Sequence, residues 1–161
     1  MRLGIISDTH GQVELTRPAV RIFESLDVNA VLHCGDIGLL AVVELFAAWP
    51  THFVFGNCDY DYGKFAAAIR QAGQTCHGLF GDLEFDGVRV ALLHSHERRR
   101  FRQTIDGGDY RLVCYGHTHI AAIDRRGETL VVNPGAIYRA TPHSVAIVDL
   151  PAVEATIIEL S

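Results

Sequence analysis

Five apolar runs in this chain each stop at a short cluster of Asp, His, Asn or Cys, and no other feature constrains the fold as much. Leu3 to Ile6 leads into Ser7-Asp8-Thr9-His10, and Ala30 to Leu32 leads into Cys34-Gly35-Asp36. Phe53 to Phe55 leads into Gly56-Asn57-Cys58-Asp59, and Val88 to Leu93 into His94-Ser95-His96. Leu112 to Tyr115 leads into Gly116-His117-Thr118-His119. Short apolar runs rich in β-branched residues read as buried strands. Open α/β sheets place their chemistry just beyond the carboxyl ends of such strands.

The segments between the runs support this wiring. Val13–Leu26 carries Leu15, Ala19, Ile22, Phe23 and Leu26 near helical spacing. Helices are also expected over Leu39–Ala48, stopped by Trp49-Pro50, and over Lys64–Ala72, closed by Gly73. Strand–helix–strand alternation implies parallel strands joined by crossovers. The second half changes to hairpins. Leu79–Phe85 and Val88–Leu93 flank Asp86-Gly87, Ile120–Asp124 and Thr129–Val132 flank Arg125-Arg126-Gly127, and Ser144–Leu150 and Val153–Leu160 flank Pro151-Ala152. A short helix is expected between His96 and Asp106. The predicted architecture is an α/β fold: a four-layer αββα sandwich of two mixed β-sheets flanked by helices, formed by residues 1–161 as one domain.

Composition narrows the classes of function. A chain of 161 residues can bury roughly two thirds of its unfolded surface. No apolar run approaches the roughly 20 residues that span a bilayer, so no membrane partner is expected. The N-terminus runs straight into a strand with no apolar signal region, which reads as cytoplasmic. A net charge of −5 argues against long nucleic acid as a partner, since that affinity comes from clustered Lys and Arg. No Cys-x-x-Cys pair is present, and Cys76 and Cys114 read as small apolar strand residues. Homo-oligomerisation stays open.

Asp8 and His10 stand two apart, so in extended backbone their side chains point the same way; His117 and His119 repeat the spacing. Carboxylates, imidazoles and one side-chain amide form a mixed donor set suited to Mn²⁺, Fe²⁺, Co²⁺, Ni²⁺ or Zn²⁺ rather than Ca²⁺. Each motif alone has a plainer explanation. Asp-x-His can cap a helix, and Gly-Asp and Gly-Asn are turn signals. Their joint occurrence at successive strand ends is what points to a metal centre.

The order Asp-x-His, Gly-Asp, Gly-Asn-x-Asp, His, Gly-His-x-His, from Asp8 to about Gly135, resembles the calcineurin-like metallophosphoesterase superfamily. The short chain and Cys58 within Gly-Asn-Cys-Asp are similar to its small phosphodiesterase branch. The resemblance implies two divalent transition-metal ions, Mn²⁺ first among the candidates. Asp8, His10, Asp36 and His119 would hold one, and Asp36, Asn57, His94 and His117 the other, with Asp36 bridging. It implies hydrolysis of a small phosphodiester through a metal-bound hydroxide. The alternatives are a phosphomonoesterase or nucleotide-polyphosphate hydrolase with the same site, and a metal-binding interaction scaffold like the retromer subunit of this fold.

Asp36 and Asn57 are expected in the catalytic centre together with Cys58 and His96. Cys58 stands where many members of the superfamily have His, and reads as a spacer or a modest proton donor; His96 is the other candidate acid. Asp59 is expected to orient its neighbours. Ser95 replaces the usual Gly of His-Gly-His, which puts substrate fit in question more than metal binding. Asn133-Pro134-Gly135-Ala136 matches the turn often found after the last ligand, with Ala136 where Ser is common. The basic run Arg98 to Arg102 reads as a solvated helix face with Phe101 and Ile105 packed inward, while its place just beyond His94 keeps a substrate-anion role open.

Overall fold

A computed structural model of the chain describes residues 1–160. Eleven strands form two mixed sheets. The first contains β1 (Arg2–Ile6), β2 (Ala30–His33), β3 (Thr51–Phe53), β4 (Thr75–Cys76), β10 (Ser144–Asp149) and β11 (Glu154–Glu159), in the order β11-β10-β1-β2-β3-β4. Strands β1 to β4 run parallel, and β10 and β11 complete the sheet antiparallel. The second contains β5 (Phe80–Phe85), β6 (Val88–Leu93), β7 (Leu112–Cys114), β8 (Ala122–Arg126) and β9 (Thr129–Asn133), in the order β5-β6-β7-β9-β8. Its three central strands, β6, β7 and β9, are parallel.

Strand alternation explains why these elements stack in layers. Leu3, Ile5, Ala30, Leu32, Ala146 and Val148 face one way and meet Val88, Val90, Leu92, Leu112, Cys114, Leu130 and Val132 of the other sheet in a common core. The intervening residues of the first sheet, including Ile6, Val31, Phe53, Val145 and Ile147, pack beneath α1 (Val13–Ser25), α2 (Leu40–Glu44) and α3 (Tyr62–Gln71). Ala91, Leu93, Val113 and Val131 of the second sheet pack beneath α4 (Arg98–Asp106) through Phe101 and Ile105. The result is the expected αββα order. Strands buried on both faces read as continuous apolar runs, as Ala30–Leu32 of β2 and Leu130–Val132 of β9 do.

Several elements differ from the sequence expectation. The helix expected to Ala48 ends at Glu44, because the following amides of Leu45, Phe46 and Ala47 bond three residues back, to Val42, Val43 and Glu44. That tighter winding places both Phe46 and Trp49 in the core. Strand β8 includes Arg125 and Arg126, so the hairpin turn is Gly127-Glu128 rather than Arg125-Arg126-Gly127. The sheet edge formed by β4 is two residues long and was hidden in the sequence by its brevity.

A histidine pair closes the β3–β4 end of the intersheet space. His52 and His77 stack with ring centroids 5.2 Å apart and share an Nδ1–Nε2 hydrogen bond of 2.9 Å, with Phe85 edge-on to His52. Burial, then the charge of His77, lowers the His52 pKa to about 4, and burial lowers His77 as well. The folded state therefore resists protonation that the unfolded chain accepts at its ordinary value near 6.5. Stability is full above about pH 6.5 and falls as pH drops toward 4. Both rings are partly exposed, so the loss is on the order of 1 kcal/mol. Urea midpoints from pH 8 to 4 check this. His52→Phe should flatten the decline between pH 6.5 and 4, and an unchanged slope would assign the decline to other groups.

Candidate metal centre

Carboxyl ends of parallel strands from both sheets meet on one edge of the sandwich, and the polar clusters found in the sequence sit there. Asp8 and His10 follow β1, Asp36 follows β2, Asn57 and Cys58 follow β3, His94 follows β6, and His117 and His119 follow β7. The loops are laced together within the first sheet and across the sheet interface. The Asp8 amide donates to Gly35 O at 3.1 Å and the His10 amide to Asp36 O at 2.9 Å. The His117 amide donates to Asp8 Oδ2 at 3.0 Å, and His94 Nδ1 donates to Cys34 O at 2.8 Å.

Candidate ligand atoms converge in three overlapping trios, each within 4.8 Å: Asp8, His10 and His119; Asp8, Asp36 and His94; and His10, Asp36 and Cys58. His119 Nε2 lies 3.1 Å from Asp8 Oδ1, and His94 Nε2 lies 3.3 Å from Asp36 Oδ2. His10 Nε2 is 3.4 Å from the same Asp36 oxygen. His117 sits beside them, its ring centroid 5.1 Å from that of His94. Asn57 is exposed, with its amide nitrogen 3.4 Å from Cys58 Sγ. His96 lies a step further out, 5.5 Å from the His94 ring.

A cation fits these residues better than any internal pairing does. Asp8 Oδ1, His10 Nε2 and His94 Nε2 are buried, aimed at one another and without a hydrogen-bond partner. Leaving such groups unsatisfied costs about 1–3 kcal/mol each. A carbonyl can only accept, so His94 carries its proton on Nδ1 toward Cys34 O and presents the Nε2 lone pair to the carboxylates. That is the arrangement of a metal-bound imidazole, whose far nitrogen is steadied by a backbone carbonyl. Burial alone would raise the Asp36 carboxyl, but in the metal-free protein, where His94 can take a second proton on Nε2, that imidazolium together with the Cys58 amide and His10 outweighs it and holds Asp36 below the ordinary carboxylate range. Asp36 is thus an anion ready to bind cations.

Backbone strain is concentrated at the same atoms. Asp8, His10, Asp36, His117 and His119 all take positive φ, between 44° and 77°. Each such residue costs roughly 1 kcal/mol or more, and clustered strain of this kind marks sites where geometry outranks local comfort. Ser95 joins them at φ 76°, the conformation a glycine would adopt freely, and its Oγ donates to Gly116 O at 3.0 Å. The serine in place of the usual glycine is held in this conformation by that bond, which ties it to the β7 loop.

Several supports were not legible from sequence. Ser7 Oγ donates to Asp8 Oδ2 at 2.5 Å. Thr9 Oγ1 donates to Ile37 O at 3.0 Å and lies 3.0 Å from Nε2 of His33. Burial, then the His94 charge, lowers the His33 pKa to about 3 and keeps that ring neutral. Tyr138 packs on His10 with centroids 5.3 Å apart, and its amide donates to Asp8 O at 3.1 Å. Only their adjacency to candidate ligands could have flagged Ser7 and Thr9, and nothing in the sequence flags Tyr138. Asp59 does orient its neighbours, accepting from the amides of Gly56 at 2.9 Å and Gly38 at 3.0 Å. Asn133 Nδ2 donates to Gly116 O at 3.3 Å and Thr118 Oγ1 at 3.0 Å, so the Asn-Pro-Gly turn braces the loop that carries His117.

Fold and site together define a metallophosphoesterase, and the sequence model of the calcineurin-like phosphoesterase superfamily domain matches residues 1–152: the chain belongs to this family, whose members are metal-dependent phosphoric ester hydrolases using divalent metals. It is 31% identical to Phosphodiesterase MJ0936 of Methanocaldococcus jannaschii over 138 residues, 84% of this chain and 83% of that protein. It is also 31% identical to Probable metallophosphoesterase YsnB of Bacillus subtilis over 137 residues, 85% of this chain and 75% of that one. A solved archaeal phosphodiesterase superposes with TM-score 0.91 at 30% identity, covering 99% of this chain and all of the other. No helix among the described residues is long and apolar enough to cross a membrane.

Proposed function

We propose that this enzyme is a phosphodiesterase acting on a small phosphodiester at a binuclear divalent-metal centre. Asp8, His10, Asp36 and His119 would hold one ion, and Asp36, Asn57, His94 and His117 the other. The observation that carries this reading is the convergence of Asp8 Oδ1, His10 Nε2 and His94 Nε2, buried and unpartnered, around Asp36. The archaeal relatives named as phosphodiesterases support the substrate class. Two divalent ions bound there would supply Lewis acidity toward the phosphoryl oxygens and a lowered pKa for water.

The remaining residues set the proton chemistry. In the metal-free protein burial, then the charge of nearby Asp36, raises the Cys58 pKa, and a thiol offers only a weak hydrogen bond. Burial, then the charge of His94, lowers His96, which leaves that imidazole neutral and without a spare proton at pH 7. Neither is a strong general acid. Esters with good leaving groups should therefore turn over fastest, which favours activated diesters over alkyl monoesters, whose departure needs a proton.

Metal-stripped protein should not hydrolyse bis(4-nitrophenyl) phosphate. Activity should return with Mn²⁺ or Ni²⁺ far more than with Ca²⁺, because His10, His94, His117 and His119 favour borderline ions over oxygen-seeking ones. Nitrophenolate release after chelation and metal addition measures it. Hydrolysis that survives chelation, or that Ca²⁺ restores best, would overturn the reading. A failure of every metal on every phosphoester would instead favour the interaction scaffold.

A further inference from the structure

A groove of about 520 Å³ opens directly beside the metal centre, between α4 and the loops that follow β6 and β7. Ser95 and His117 form its inner wall, at the candidate ligands. Arg98 and Arg102, four residues apart and so on one face of α4, form its outer wall. Phe101 and Tyr115 line its floor, half-buried, their rings in contact at 4.7 Å between centroids. The groove thus runs from the reacting centre across an apolar aromatic surface to two cations.

Those cations are free to bind an anion. Arg100 pairs with Glu97 at 2.5 Å, and Arg89 of β6 with Asp82 at 2.9 Å, but neither Arg98 nor Arg102 pairs with a carboxylate among the described residues. Their placement also works against the helix. The first turn of α4 holds Arg98, Arg99 and Arg100 and no acidic residue, and Glu97 at its cap makes no capping bond. Cations at a helix N-terminus oppose its dipole, where anions belong. A chain with net charge −5 has placed its densest basic run at the position where folding gains least from it. Local rules broken in this way mark function.

We propose that this groove binds the non-reacting arm of the phosphodiester, and that the arm carries a planar ring and a second anionic group, a phosphate in the first instance, held by Arg98 and Arg102. The proposal rests on the phosphodiesterase reading and adds a substrate class to it: a nucleotide-like diester with a further phosphate. The ring lies along Phe101 and Tyr115, where a groove of this volume accommodates a ligand of nucleotide size. Arg98 and Arg102 are specificity residues here; the reacting bond lies at the other end of the groove.

The test compares two esters with the same scissile bond, thymidine 5′-(4-nitrophenyl phosphate) and the same compound bearing a 3′-phosphate. Nitrophenolate release reports cleavage of the diester alone. The ratio of the two kcat/KM values, taken within one protein, cancels any general loss of fold or metal. Wild type should prefer the 3′-phosphorylated ester by about tenfold at low salt, a preference that fades as salt screens the pair. Arg98→Gln/Arg102→Gln should bring the ratio close to one, whereas Arg99→Gln, which removes one positive charge from outside the groove, should keep it. A wild-type ratio near one, or a double variant that keeps the preference, overturns the proposal while leaving the phosphodiesterase reading standing. If neither ester is cleaved with any metal, that reading fails. Calorimetric binding of thymidine 3′,5′-bisphosphate to metal-free protein then decides the groove: binding lost in the double variant supports it, and equal binding refutes it.

Discussion

Asp36→Ala should abolish phosphodiester hydrolysis and leave the fold in place. Asp36 has one oxygen 3.4 Å from His10 Nε2 and 3.3 Å from His94 Nε2, while its other oxygen accepts from the Cys58 amide at 2.8 Å. It is the residue through which the two proposed ion positions share a ligand. Partners one step removed from a metal already cost about 10–100-fold in affinity or activity when lost, so removal of the shared carboxylate should exceed about 10²-fold. The metal-free protein should change little in stability. One amide loses its acceptor, at about 1 kcal/mol, and the like-charge contact with Asp8 is relieved. Wild type should gain thermal stability on adding Mn²⁺, by roughly 2.7 kcal/mol at a hundred times Kd, and the variant should gain much less. Circular dichroism melts with and without Mn²⁺, beside elemental analysis, read this out. Full metal content in the variant would sink the shared-ligand assignment.

Gly56→Ala should be nearly as damaging although it removes no donor. A Cβ at this position would stand 2.0 Å from Asp36 Oδ1 and 2.6 Å from the Asp36 amide nitrogen. The first contact is with the carboxylate at the centre of the site and the second is with backbone, so neither can yield cheaply. Asp36 must swing away from His94, and metal binding should weaken by about 10²-fold or more. Overpacking itself should cost about 1–3 kcal/mol in the metal-free protein. Gly63→Ala is the matching control, because nothing lies within 4 Å of a Cβ there and α3 should become slightly more stable. Isothermal titration of Mn²⁺ into the metal-stripped variants measures the difference. A Gly56→Ala protein that binds Mn²⁺ like wild type would show that the loop between β3 and α3 is far looser than its contacts imply.

The layers were legible in the sequence because most strands are buried on both faces or alternate, the exposed β8 being an exception. Val88 to Leu93 reads as an apolar run since Val90 and Leu92 meet the other sheet while Ala91 and Leu93 meet α4. The positions of Asp8, Asp36, His94 and His117 were legible for a related reason, as polar residues directly past the ends of such runs. What escaped depends on distance in sequence. Tyr138 reaches His10 from beyond the last ligand loop, and His52 meets His77 across two strands, with no periodicity to announce either. The shortened α2 escaped because Phe46 and Trp49 fit a helical pattern as well as the tighter winding that buries both. The basic run of α4 was ambiguous for a physical reason. Phe101 and Ile105 do pack inward, as a solvated amphipathic helix requires, and only the groove that they help to line gives Arg98 and Arg102 something to face.

The number and place of the metals decide most directly whether Asp36 is a shared ligand. Crystals of protein loaded with Mn²⁺, measured at the manganese absorption edge, should show two anomalous peaks. One should be bordered by Asp8, His10 and His119 and the other by Asn57, His94 and His117, with the Asp36 carboxylate between them. A single peak, or peaks that leave Asp36 uncoordinated, would contradict it.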